Sequence, residues 1–126
     1  MVRRTLAAAF AGTLLAVVSA TASAATSPYV GAWHANFSGA RLTFTLASSG
    51  VYSISRNGHL WARGTGQFVA SSLSMVHETG SHACGPKQTG GYGMSLDGAK
   101  LRFTAIFDFC AGRKAVLVGH EFARGR

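Results

Sequence analysis

Residues 41–58 read Arg41-Leu42-Thr43-Phe44-Thr45-Leu46-Ala47-Ser48-Ser49-Gly50-Val51-Tyr52-Ser53-Ile54-Ser55-Arg56-Asn57-Gly58. Leu42, Phe44 and Leu46 alternate with Arg41, Thr43 and Thr45, the two-residue period of a strand with one buried face. Ser48-Ser49-Gly50 interrupts the pattern, a second β-rich run follows, and Asn57-Gly58 ends it. Asn followed by Gly tolerates positive φ at both centres of a two-residue turn, so the pair is a strong hairpin signal. The stretch is a strand, a turn, a second strand and a second turn.

The same grammar extends in both directions. Ser38-Gly39-Ala40 marks a turn before it and Asp97-Gly98 a hairpin after it. Leu101, Phe103, Ala105 and Phe107 alternate with Lys100, Arg102 and Thr104, broken only by Ile106. Eight strands are expected, near 30–38, 41–47, 51–56, 59–70, 73–78, 89–96, 99–107 and 115–123. No window after Ala24 carries a clear 3.6-residue period, so no substantial helix is expected. Short consecutive strands joined by tight turns run antiparallel, and eight of them abolish their open edges by closing. The expected fold is all-β, an eight-stranded antiparallel up-and-down barrel.

The chain has 126 residues. Arg3 and Arg4, an apolar run from Leu6 to Val18 and Ala22-Ser23-Ala24 read as a secretory leader cleaved after Ala24. Its apolar run is too short to span a membrane. Residues 25–126 then form one domain, with localisation expected outside the cell and no membrane partner after cleavage. Ten Lys and Arg remain there against four Asp and Glu, a net charge of +6. Those cations are scattered one or two at a time, which argues for a solvated surface and against nucleic acid.

Two cysteines, Cys84 and Cys110, lie in the exported part. An even count outside the cytosol reads as a disulfide. In a meander, successive connections alternate between the two ends of the barrel. The fifth and seventh connections hold the two cysteines and share an end, so the bridge is topologically consistent.

Gly31-Ala32-Trp33 in the first strand, the glycine-bounded meander and a basic residue before the last strand together resemble the calycins. That superfamily holds lipocalins, fatty-acid-binding proteins and avidins. Asp108-Phe109-Cys110-Ala111-Gly112-Arg113 is similar to the D-x-C-x-x-R stretch of small secreted bacterial lipocalin-like proteins. Ala115-Val116-Leu117-Val118-Gly119-His120 is similar to the closing strands of avidins, although no Trp follows Trp61 to wall a biotin pocket. The resemblance implies a calycin-like barrel in which Trp33 plugs one end. It also implies that Arg113, or Lys114, stacks on that plug as a cation–π contact.

The chemistry-bearing residues are sparse. His77-Glu78-Thr79-Gly80-Ser81-His82 lacks the His-Glu-x-x-His spacing of a zinc protease, and no metal ligand set is expected. Of the four carboxylates, Asp97 serves its turn and Asp108 is placed to orient Arg113 or face His120 at a rim. No catalytic residue and no cofactor is expected. Aromatic residues occur on almost every strand, lining a cavity or filling a core. The leading expectation is a small apolar or aromatic ligand held in the barrel by Tyr52, Trp61, Met75, His77, Tyr92 and Phe103. Its mouth would lie opposite Trp33, with Lys87 and Lys114 at the entrance. The alternatives are an interaction or inhibitor protein with a filled core, and a cyclase or isomerase using the barrel as its cavity. Oligomeric state is left open.

Overall fold

A computed structural model describes Gly12 and residues 27–125. Apart from Gly12, the expected leader over residues 1–24 lies outside the described residues. The chain forms β1 (Gly31–Phe37), β2 (Ala40–Leu46), β3 (Val51–Arg56), β4 (His59–Val69), β5 (Ser72–Thr79), β6 (Gly90–Asp97), β7 (Lys100–Asp108), α1 (Ala111–Leu117) and β8 (Glu121–Arg124). The strands pair antiparallel in sequence order and close, β8 onto β1. The all-β, eight-stranded up-and-down barrel is therefore what the alternation predicted.

The turns explain the register. Ser38 and Gly39 have φ of 48° and 76°, and Asn57 and Gly58 have 48° and 81°, positive at both centres as primed hairpin turns require. Arg41 N–H is satisfied by Asn57 Oδ1 at 2.9 Å. In the Asp97-Gly98 hairpin the loop is instead Gly98-Ala99, with Gly98 at φ 61° and Asp97 closing β6.

One element differs from the expectation. The strand expected over 115–123 is divided into the helix α1 and a four-residue strand, β8. Seven residues are too few for a helix to stand on its own propensity, so tertiary contacts must hold it. Arg113 and Leu117, one helical turn apart, are the residues α1 buries. Because one of that pair is an arginine, the apolar period of the helix is hidden in the sequence.

The barrel interior is filled. Trp33, Leu42, Phe44, Leu46, Tyr52, Ile54, Leu73, Met75, Tyr92, Met94, Leu101, Phe103, Leu117 and Phe122 form one buried cluster. Phe103 stands edge-on to Phe44, Tyr92 and Phe122, with centroids at 5.0, 6.1 and 5.6 Å. One end carries residues 27–30, Trp33 and the turns at 47–50 and 98–99; the other carries the 57–58 turn, the 80–89 loop and α1. These are the Trp33 end and the α1 end below.

Cys84 and Cys110 form a disulfide at the α1 end, with Cα atoms 5.9 Å apart across a sequence separation of 26. Closing a loop of that length removes conformational freedom from the unfolded chain worth about 3–4 kcal/mol in the chain-entropy model. Replacing both cysteines with serine should lower the urea midpoint by a corresponding amount. Thiol titration of the denatured, unreduced protein should find no free thiol; two reactive thiols would contradict the bridge.

Candidate functional site

Two irregularities in the sheet build the site. Arg63 pairs with Thr79 and Thr65 with Val76, so His77 and Glu78 together oppose Gly64 alone. His77 has φ of 53°, and the extra residue reverses the alternation of β5. Leu73 and Met75 point inward, His77 is exposed, and Glu78 takes the inward place with a 2% exposed side chain. The same happens on β7. Gly91 pairs with Phe107 and Tyr92 with Ala105, leaving Ile106 as the extra residue. Phe107 consequently faces out, and the Asp108 side chain turns in, fully buried.

The two carboxylates meet at the guanidinium of Arg113, which α1 lowers into the barrel end. Arg113 Nε and Nη2 donate to Asp108 at 2.9 and 2.7 Å, and Nη1 donates to Glu78 Oε2 at 2.8 Å. Nη2 also donates to the Gln88 carbonyl at 2.8 Å. Tyr52 Oη donates to Glu78 Oε2 at 2.7 Å, and Tyr92 Oη donates to Asp108 Oδ2. Both carboxylates also accept from the backbone of the disulfide: Cys84 N–H reaches Glu78 Oε1 at 3.1 Å, and Cys110 N–H reaches Asp108 Oδ1, which Arg113 Nη2 shares, at 2.8 Å. Each half of the network is therefore a tyrosine, a carboxylate and a cysteine amide, joined by one arginine.

The electrostatics follow from burial and pairing. Burial pushes the Asp108 carboxyl up, but the hydrogen bonds from Arg113, Tyr92 and Cys110 outweigh it and hold it below the usual value. Burial pushes both phenols well above the ordinary tyrosine range, and donation to Glu78 or Asp108 adds to the shift. Arg113 stays charged, since its two carboxylates overcome the burial that would lower it. Glycines make room for this: a Cβ on Gly90 would lie 2.6 Å from Arg113 Nη2, and one on Gly64 would strike the Tyr52 hydroxyl.

Beside the network, under α1, is a half-enclosed cavity of about 260 Å³. Its walls are Ile54, Trp61, Ala62, Ala83, Cys110, Gly112 and Val116, with Glu78, Arg113 and His82 as polar members. Trp61 stacks on His82 at 4.4 Å, and the Arg56 guanidinium lies 5.6 Å from its ring.

Of the six residues expected to hold a ligand, only Trp61 lines this cavity. Tyr52, Met75, Tyr92 and Phe103 are buried in the packed interior, and His77 is displaced to the surface by its bulge. Trp33 is 1% exposed at its barrel end, but the cation over it is Arg124, with Cζ 4.4 Å from the ring. The stacking partner implied for Trp33, Arg113, is at the opposite end. The reason is α1: a helix following Cys110 swings Arg113 into the barrel end where a strand would have carried it along the wall. Glu78 is the member that sequence reasoning missed. Asp108 as the orienting group of Arg113 was legible. Among the described residues, no group of three metal-ligating side chains occurs.

No protein-family model matches this chain, and no curated protein or solved structure is similar enough to count as a match.

Proposed function

We propose that the protein is an exported, calycin-like binding module whose ligand is a small aromatic or apolar molecule, held at the α1 end. The observation that carries the reading is the 260 Å³ cavity between α1 and the wall of β3 and β4. A cavity near 150 Å³ already holds a benzene ring, so this one has room for one or two fused rings. Apolar walls with a few fixed polar groups are the usual composition of a ligand site. Here the disulfide and the Arg113 network fix those groups before any ligand arrives, which limits the ordering cost of binding. The disulfide itself suits an oxidising compartment. The packed interior favours a ligand at this end over one in the lumen, where both a lipocalin-type site and a barrel-cavity cyclase or isomerase would need space.

Gly112 lines the cavity, and a Cβ placed on it meets nothing within 4 Å. Gly112→Phe should therefore be accommodated without disturbing the fold and place a ring at the rim of the cavity. Saturable one-to-one binding of an apolar fluorescent dye to the parent should weaken about tenfold or more in this variant. Unchanged dye affinity in Gly112→Phe would exclude the cavity as the site. Native mass spectrometry of the exported protein identifies any molecule it carries.

A further inference from the structure

A second feature of the α1 end lies outside the cavity. Ile106, Phe107 and Phe109 are 66%, 46% and 67% exposed, and the two phenylalanine rings are 5.9 Å apart. The bulge at Ile106 is what turns Phe107 outward. The segment that carries Lys87 runs beside Phe109: Gln88 Nε2 donates to the Phe109 carbonyl at 3.2 Å and Phe109 N–H donates to Thr89 O at 3.3 Å. Lys114 lies on α1 one turn from Cys110, and both lysines are exposed.

The distribution of acid completes the picture. Glu78 and Asp108 are buried on Arg113, while Asp97 and Glu121 are engaged by Arg102 and Lys100 on the outer face of β7 and β8. Arg102 precedes Phe107 by five residues, about 16 Å along a strand. The α1 end thus presents apolar side chains and cations with no exposed side-chain carboxylate among the described residues.

We infer that Ile106, Phe107 and Phe109, with Lys87 and Lys114, form a docking face for an anionic lipid surface. Charge complementarity selects an anionic occupant, and a second copy of this chain would bring the same cations against themselves. The apolar patch is roughly 350 Å² by the sizes of these side chains, well short of the ~800 Å² each partner gives a stable protein interface. Lysines are depleted from protein interfaces, whereas lysine beside phenylalanine is the composition of segments that lie in a membrane interface. Among the described residues no helix is long and apolar enough to cross a membrane. The docking face modifies the expectation, drawn from the leader alone, of no membrane partner. It is independent of the cavity, although the segment from Phe109 to Gly112 borders both.

Co-sedimentation of the purified protein with vesicles tests the inference. The parent should pellet with equimolar phosphatidylglycerol–phosphatidylcholine vesicles, not with phosphatidylcholine alone, and should be released by high salt. Phe109→Ser should lose about tenfold in partitioning at an unchanged melting temperature, and Lys87→Glu/Lys114→Glu should abolish it. Because Phe107 packs on Gly91, Phe109 is the safer position to vary. Equal pelleting of parent and Phe109→Ser overturns the proposal, as does absence of pelleting with anionic vesicles. Capture by soluble poly-aspartate but not by vesicles overturns it in favour of an acidic protein partner. Dye binding in the cavity should be unchanged by Phe109→Ser, so the two sites fail or succeed separately.

Discussion

Replacing Arg113 with methionine is expected to destabilise the protein by about 3–5 kcal/mol, the usual cost of stranding buried charge when its partner is removed. Methionine approximates the length of the side chain, so the loss reports charge and hydrogen bonds more than volume. Four hydrogen bonds disappear, and the buried carboxylates of Glu78 and Asp108 are left without their cation. Arg113→Lys should recover only part of the loss. One ammonium cannot reproduce the planar fork that engages Asp108 twice while reaching Glu78 and the Gln88 carbonyl. Urea unfolding followed by tryptophan fluorescence measures both variants. An Arg113→Met midpoint equal to the parent's would show that the network contributes nothing to stability.

The pH dependence has a definite sign. Asp108 is held below its ordinary value of 3.8, so its pairing adds stability that is fully present above that pH. That stability is lost as pH falls through the lower, folded-state value. Tyr52 and Tyr92 are raised above 10.0, so their contribution is present below pH 10 and declines as pH rises beyond it. Between those limits Asp108, Tyr52 and Tyr92 should add no pH dependence of their own. In Arg113→Met the cation that depresses Asp108 is gone, and burial, which favours the protonated acid, is opposed only by the hydrogen bonds from Tyr92 and Cys110. The stabilities of variant and parent should converge on acidification. Since the cysteine amides donate to the same carboxylates, losses from Arg113→Met and from removing the disulfide should not be additive.

The barrel was legible because its evidence is periodic. Leu42, Phe44 and Leu46 occupy inward positions that strict alternation defines, and Asn57-Gly58 fixes the turn beside them. The site was far less legible, because it depends on two places where the period fails. Ile106 was visible as a break in the alternation of β7, and a bulge there was the signal that Asp108 could turn inward. Nothing comparable marks His77. In Ser74-Met75-Val76-His77-Glu78, simple alternation sends His77 inward with Met75, and a left-handed backbone conformation at histidine is not written in that stretch. The helix was hidden for a related reason. Its buried face pairs Leu117 with an arginine, and an arginine becomes a core residue only when carboxylates on other strands are in place to receive it.

Trp33→Ala is expected to cost about 3–5 kcal/mol, the range for truncating a large buried aromatic side chain. The ring is 1% exposed, its Nε1 donates to the Tyr29 carbonyl at 2.9 Å, and its strand neighbour across β1 and β2 is Phe44. Truncation opens the Trp33 end and orphans the Tyr29 carbonyl, which anchors the segment entering β1. Arg124 sits over the ring and also donates to the carbonyls of Val30 and Pro28, but it is exposed. A cation–π contact at an exposed site contributes about 0.5–1 kcal/mol, so Arg124→Ala should be several times milder than Trp33→Ala. Trp33→Phe should fall between them, keeping the aromatic platform while losing the indole hydrogen bond. The order alanine at 33, phenylalanine at 33, alanine at 124 separates a packing role from a stacking role. If Arg124→Ala costs as much as Trp33→Ala, the cation and not the buried indole holds this end closed.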